Sequence, residues 1–181
     1  MAILKIAKIG NPILLKKTKE IDNIGSDLIK ELILNLSETM LDANGIGLAA
    51  PQVHENKSIF IFRNPDIVEN NDKIEITALI NPTIEKINDD TEDAWEGCLS
   101  IPGMLGLVRR YSKIKYSGFN LEGKKIVKEV EGLHARVVQH EFDHLNGILY
   151  TKRLVHKDAF GFENEIEKYW KKNEEKEKTN S

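Results

Sequence analysis

Gln139-His140-Glu141-Phe142-Asp143-His144-Leu145-Asn146-Gly147 carries His-Glu-x-x-His inside an apolar stretch that reads as helix. Residues four apart share a helix face, so His140 and His144 point the same way. Two imidazoles on one face suit a divalent transition metal such as zinc or iron. Glu141 follows the first histidine and is positioned to handle a proton on water beside that metal. A purely structural site has no use for the carboxylate, so the layout is catalytic. The pattern also arises by chance in charged helices, and 30% of this chain is charged. Zinc proteases use it as well. It needs a third ligand before it names a reaction.

Working outward, Cys98 is the single cysteine, within Glu96-Gly97-Cys98-Leu99-Ser100-Ile101-Pro102-Gly103. A lone cysteine forms no internal disulfide, which fits a reducing compartment. Its bland reading is a small buried hydrophobe. The flanks argue for more. Gly97 permits close backbone approach, Leu99 offers a backbone N–H beside the sulfur, and Pro102-Gly103 reads as a closing turn. A third segment, Gly45-Ile46-Gly47-Leu48-Ala49-Ala50-Pro51-Gln52, is a lean, closely approached backbone. It lacks the third glycine and the Gly-Lys-Ser/Thr ending of nucleotide loops, so no nucleotide site is expected. Asn44-Gly45 also reads as a helix C-cap.

In this order and at these spacings, the three segments resemble the motifs of the peptide deformylase family. Asn81-Pro82 ahead of the cysteine segment and Gly147 closing the histidine helix agree with it. The resemblance runs from about residue 3 to about residue 155. It implies that Cys98, His140 and His144 are metal ligands, with water at the remaining position. It also implies a ferrous (Fe2+) centre in which nickel, cobalt or zinc can substitute. The implied reaction is hydrolysis of the N-formyl group from formyl-methionyl nascent peptides. Glu141 would shuttle the proton, while the Gln52 side chain and the Leu99 N–H stabilise the oxyanion. Ile46, Gly47, Leu133 and Val137 match positions that bind substrate. For Val137, ordinary core packing is the competing reading. Glu96 and Arg110 match a pair that braces the cysteine loop, and Gln139 is read as a similar support. Three positions depart from the family pattern. Arg109 adds a positive charge expected to alter peptide affinity, Leu105 stands where arginine is frequent, and His134 replaces an apolar residue. His54 and His156 read as surface residues.

With 181 residues, 40% hydrophobic, the chain is long enough for one well-cored catalytic domain over residues 1–158. A C-terminal helix with a charged tail is expected over residues 159–181. A net charge of −3 gives no basic excess for nucleic acid, so DNA is not an expected partner. The start lacks a signal-like apolar run, and no stretch is long enough to span a membrane, so a cytoplasmic location is expected. Ser26–Ala43 reads as a helix with Leu28, Ile29, Leu32, Ile33, Leu36 and Met40 as its apolar stripe. Ser58–Phe62, Ile76–Ile80, Leu107–Tyr116 and Lys124–Val130 read as strands, the last two joined by an Asn120–Gly123 hairpin loop. The metal helix covers about Gly132–Leu145. The expected class is α+β, with small antiparallel β-sheets around a central metal-binding helix. In the tail, Phe162, Ile166, Tyr169 and Trp170 form one apolar helix face. Beyond them Lys171–Lys178 is of mixed sign, which weakens the case for a transient ribosome contact there.

Two rival readings remain at this level. A zinc endopeptidase would use the same helix but needs a third His or Glu ligand. A metal-stabilised binding module would have no use for Glu141.

Overall fold

The computed structural model describes residues 2–65 and 75–171. In chain order its main elements are α1 (Asp27–Asp42), β1 (Gly47–Ala49), β2 (Ile59–Arg63), β3 (Ile76–Lys86), β4 (Thr91–Cys98), β5 (Ile101–Tyr111), β6 (Lys113–Phe119), β7 (Lys125–Glu131), α2 (Gly132–Leu145), β8 (Phe160–Phe162) and α3 (Glu163–Ile166). The described strands form two antiparallel sheets. One has the order β1-β2-β3-β6-β7 and the other β4-β5-β8. The helix with the two histidines, α2, lies between them, in the α+β arrangement expected.

The alternation along β2 explains the layering. Ile59 and Ile61 face α1 and join Leu32, Leu36 and Met40, whereas Phe60 and Phe62 face α2 and join Ala135 and Val138. All four β2 residues are fully buried because both faces of this strand are covered. Ile29, Leu32, Ile33, Leu36 and Met40 of α1 are buried, but Leu28 is 76% exposed. It lies one residue, about 100°, round the helix from Ile29 at the centre of the stripe. A third cluster under the smaller sheet contains Leu14, Ile101, Val108 and Tyr150.

The strands differ from the sequence reading at four places. Leu107–Tyr116 is not one strand. β5 ends at Tyr111 in one sheet and β6 starts at Lys113 in the other, with the Ser112 N–H donating to the Asp90 carbonyl between them. Pro102-Gly103 does not close the cysteine segment, since both residues lie within β5. β4, an acidic run with weak strand propensity, is held to β5 by charge: Asp93 pairs with Arg109 directly opposite it, and Glu96 with Arg110. β3 also continues past Ile80 through a register shift at Asn81-Pro82. There Asn81 adopts φ 47 and its side chain bonds both backbone groups of Ile21. A bulge is where a strand tolerates proline. The Asn120–Gly123 hairpin loop is present between β6 and β7, and the Lys124 N–H donates to the Asn120 side chain at 2.8 Å.

Gly147 ends α2. Its φ is +69, and the Ile148 N–H reaches back to the Asp143 carbonyl at 2.9 Å, the pairing of a Schellman cap. A Cβ there would lie 2.6 Å from the Leu15 carbonyl carbon, so only glycine fits the close crossing of the N-terminal segment.

The C-terminal segment folds back onto the smaller sheet, where Phe162 pairs with Met104 and Gly161 with Leu105. The single apolar face read there is split. Ile166 is buried and Trp170 meets Trp95 edge-on at 5.7 Å, but Phe162 and Tyr169 are 64% and 54% exposed. Phe162 is still in β8, and a π-helical stretch over Glu167–Lys171 alters the spacing after α3. The charged residues 172–181, on which the ribosome reading rests, lie outside the described residues. Among the described residues, no helix is long and apolar enough to cross a membrane.

Candidate metal centre

Cys98, Leu99, Ser100 and Ile101 make a tight turn, because Cys98 pairs with Ile101 across β4 and β5. That turn presents the sulfur to α2. Ligand atoms of Cys98, His140 and His144 all lie within 4.8 Å of one another, with the Cys98 Sγ 3.3 Å from the His144 Nε2. Among the described residues this is the one His/Cys/Asp/Glu group so arranged. A thiolate with two imidazoles is a soft, nitrogen-rich donor set that fits iron, cobalt, nickel or zinc rather than magnesium or calcium.

The surroundings prepare each donor. The His140 Nδ1 is 2.9 Å from the Glu96 carboxylate, which leaves its Nε2 for the centre. Burial opposes charge on His140, yet the bonds to Cys98 and Glu96 outweigh it and raise the imidazole well above its ordinary value. Burial likewise opposes a Cys98 thiolate. The His144 and His140 rings overcome that and hold the thiol well below its usual range. The Ser100 N–H also donates to the sulfur at 3.4 Å. Cys98→Ser is expected to weaken metal binding by more than the roughly 10- to 100-fold typical of a supporting residue. Metal content after dialysis measures this, and an unchanged content would remove Cys98 from the donor set.

Glu96 anchors a buried charge network. It accepts two bonds from Arg110, at 3.0 and 2.9 Å, and one from Arg136 at 2.8 Å. Burial would raise its carboxyl, but the bonds to His140 and Arg110 outweigh this and hold it far below the carboxylate range. Arg110 also meets Asp143 of α2, which Arg153 clamps at 3.1 and 2.7 Å. Sequence reasoning missed Asp143, Arg136 and Arg153. The only signal was an aspartate inside an apolar-flanked motif. Gln139 does not support the centre as read. Its side chain bonds the Tyr111 backbone N–H and carbonyl, at 3.1 and 2.9 Å, and pins α2 to the end of β5.

Gln52 is fixed by its neighbours. The Ala49 N–H donates to its Oε1 at 2.8 Å, so its amide nitrogen turns toward Ser100 Oγ at 3.1 Å and Cys98 Sγ at 3.6 Å. The N-terminal segment braces the same turn. The Lys8 ammonium donates to the Leu99 carbonyl at 2.7 Å and the Ile9 N–H to the Ser100 carbonyl at 2.9 Å. No motif signalled this bracing.

Glu141 is 4% exposed, and among the described residues its Oε2 has no hydrogen-bond partner. Burial raises its carboxyl to about 7. Its side chain lies so close to Gly47 that a Cβ there would come within 2.7 Å of the carboxyl carbon. Here a glycine is required by contact rather than by backbone angle.

Gln52, Cys98, Leu99, His140 and Glu141 line a cleft of about 620 Å³. Ile46, Gly47, Leu133 and Val137 line it too, with Ile46 48% and Leu133 56% exposed and Val137 buried at 8%. Val137 also belongs to the core beside β2, so it serves both surfaces. His144 is buried beside the cleft, at 1% exposure. Leu105 lines the cleft, but Arg109 does not. Its guanidinium is held by Asp93 through two 2.7 Å bonds beside a separate groove, so the expected influence on a peptide is not supported. His134 packs against Phe62 and Tyr116, away from the donor set. His54 and His156 are exposed.

This fold and centre define a metal-dependent hydrolase. The model of the polypeptide deformylase family matches residues 3–160. The chain belongs to that family. Peptide deformylase 1 of Nitrosomonas europaea is 42% identical over 166 residues, covering 88% of this chain and 92% of that protein. Peptide deformylase 1 of Bordetella pertussis is 44% identical over 163 residues, covering 87% and 90%. The crystal structure of peptide deformylase from Thermotoga maritima superposes with a TM-score of 0.79 at 36% identity, covering 86% of this chain and all of that one. A class I type b peptide deformylase from Acinetobacter baumannii, solved with Met-Ala-Ser bound, gives 0.76 at 35% identity, covering 84% of this chain and 99% of that one.

Proposed function

We propose that this cleft carries out the family's reaction, removal of the formyl group from the N-terminal methionine of new polypeptides, with Cys98, His140 and His144 holding ferrous iron. Nickel, cobalt or zinc would suit the same donors. The observation that carries the reading is the unpartnered Oε2 of buried Glu141 beside three converging metal donors.

When bound, the ion supplies a Lewis acid beside the formyl oxygen and the attacking water. Glu141 accepts the water's proton at Oε2 and returns it to the methionine nitrogen as the formyl carbon–nitrogen bond breaks. Burial raises its carboxyl above the usual carboxylate range, which favours a group that must take up a proton as well as release one. The Gln52 amide nitrogen and the Leu99 N–H donate to the oxygen that gains negative charge. The Oε1 bond to Ala49 keeps the Gln52 amide from rotating away, so no reorganisation is needed during the step. Gln52→Leu is therefore expected to lower kcat about 100- to 1000-fold and change KM much less. Steady-state kinetics separate the two, and a loss confined to KM would reassign Gln52 to substrate binding.

β1 is an edge strand of its sheet, and Gly47 within it lines the cleft. An extended peptide can add to such an edge through main-chain bonds, a mode that tolerates varied sequences. Leu133 and Val137 offer the methionine an apolar seat. The chain offers Cys98 where a zinc endopeptidase has a third His or Glu.

The test is formate release from a formyl-Met peptide by anaerobic enzyme loaded with ferrous iron. Release at multiple turnovers is expected. Folded, metal-loaded protein that releases none would overturn the proposal.

A further inference from the structure

We propose that Glu163, on the wall built by the C-terminal segment, makes this enzyme prefer nascent peptides with lysine or arginine in the two positions after formyl-methionine. The inference rests on the deformylase reading of the cleft.

The wall is firmly attached. β8 pairs with β5 at Met104–Gly106, and Ile166 behind it is only 3% exposed. Trp170 packs against Trp95, which itself lines the cleft. Glu163 leaves the end of β8 and lines that cleft as well. It is exposed, and among the described residues its carboxylate has no hydrogen-bond or ion-pair partner.

The other charges of the cleft are already engaged. The Lys8 ammonium is bonded to the Leu99 carbonyl, and Arg136 to Glu96 and to the Val108 and Glu92 carbonyls. Glu96 is matched by Arg110 and Arg136 within the buried network. Glu141 lies enclosed beside the metal donors. Among the described residues, Glu163 is thus the cleft's exposed, unneutralised anion. Neighbouring Leu105 and Met104 bring no cation to it. An aromatic ring and a free carboxylate lining one cleft suit a long basic side chain, whose stem would lie on Trp95 while its head meets the carboxylate. The family match ends at residue 160, so this charge lies beyond the segment that the family model matches.

The test compares kcat/KM for formyl-Met-Lys-Ala, formyl-Met-Glu-Ala, formyl-Met-Ala-Lys and formyl-Met-Ala-Glu amides, with formyl-Met-Ala-Ser as neutral reference. Wild type, Glu163→Gln and Glu163→Lys are measured at low salt. Wild type is expected to favour lysine over glutamate about threefold at one of the two positions, the scale of an exposed ion pair. The ratio should approach one in Glu163→Gln, reverse in Glu163→Lys and shrink for wild type as salt is raised. A wild type with no lysine preference, or a ratio that is the same in all three proteins, overturns the proposal. Failure to deformylate even the neutral peptide would strike instead at the deformylase reading. Normal turnover of that peptide with no charge discrimination would strike only at Glu163.

Discussion

Glu141→Ala should release formate between about 100- and 10,000-fold more slowly than wild type while keeping its full complement of metal. The two halves of this result belong together. The carboxylate is not among the converging donors, so its loss leaves Cys98, His140 and His144 in place. It is also buried, unpartnered at Oε2 and confined by Gly47, so no neighbouring side chain stands in the same position to take its proton. Single-turnover formate release and metal per chain, measured on the same preparation, check both. Wild-type rates in the variant would remove Glu141 from the mechanism. Lost metal would make it a supporting residue of the centre.

The largest loss of stability is expected from Arg110→Leu. Arg110 is 5% exposed and bonds Glu96 of β4 and Asp143 of α2, tying the smaller sheet to the metal helix. Removing it leaves two buried carboxylates short of a cation, and breaking buried pairs costs about 3–5 kcal/mol. Arg136 and Arg153 still hold the two acids, so the lower figure, about 3 kcal/mol, applies here. For a chain of this size that is a fall in Tm of about 10 °C. Urea and thermal unfolding of metal-stripped protein measure it apart from any change in metal affinity. Unchanged stability would mean that the network contributes orientation only.

The residues that converge in the cleft were readable because each sits in a short run with restricted options. His140 and His144 share a face through helix periodicity alone, and Cys98 stands out as the single thiol. Arg136, Asp143 and Arg153 were not readable. Their types are normally exposed, and their burial arises only when segments such as Glu96 and Arg136, 40 residues apart, are brought together. The same limit applies to strands. Leu107–Tyr116 has no glycine or proline to mark the passage from one sheet to the other at Ser112. β4 looks too acidic to be a strand until Arg109 and Arg110 are seen opposite it. The cleft side of the C-terminal segment was also hidden, because Phe162 and Trp170 belong to elements of different spacing.

Cys98 and His144, 46 residues apart, come from the smaller sheet and from the helix beneath the larger one. An ion shared by them would fasten two layers of the molecule, since only the folded chain brings all three donors together. Free metal at a hundred times its dissociation constant would add about 2.7 kcal/mol to stability. Metal supply would then govern how long the protein survives as well as how fast it works. Scarcity of the metal, or oxidation of the one sulfur, would release the clasp between the layers and expose the enzyme to proteolytic turnover.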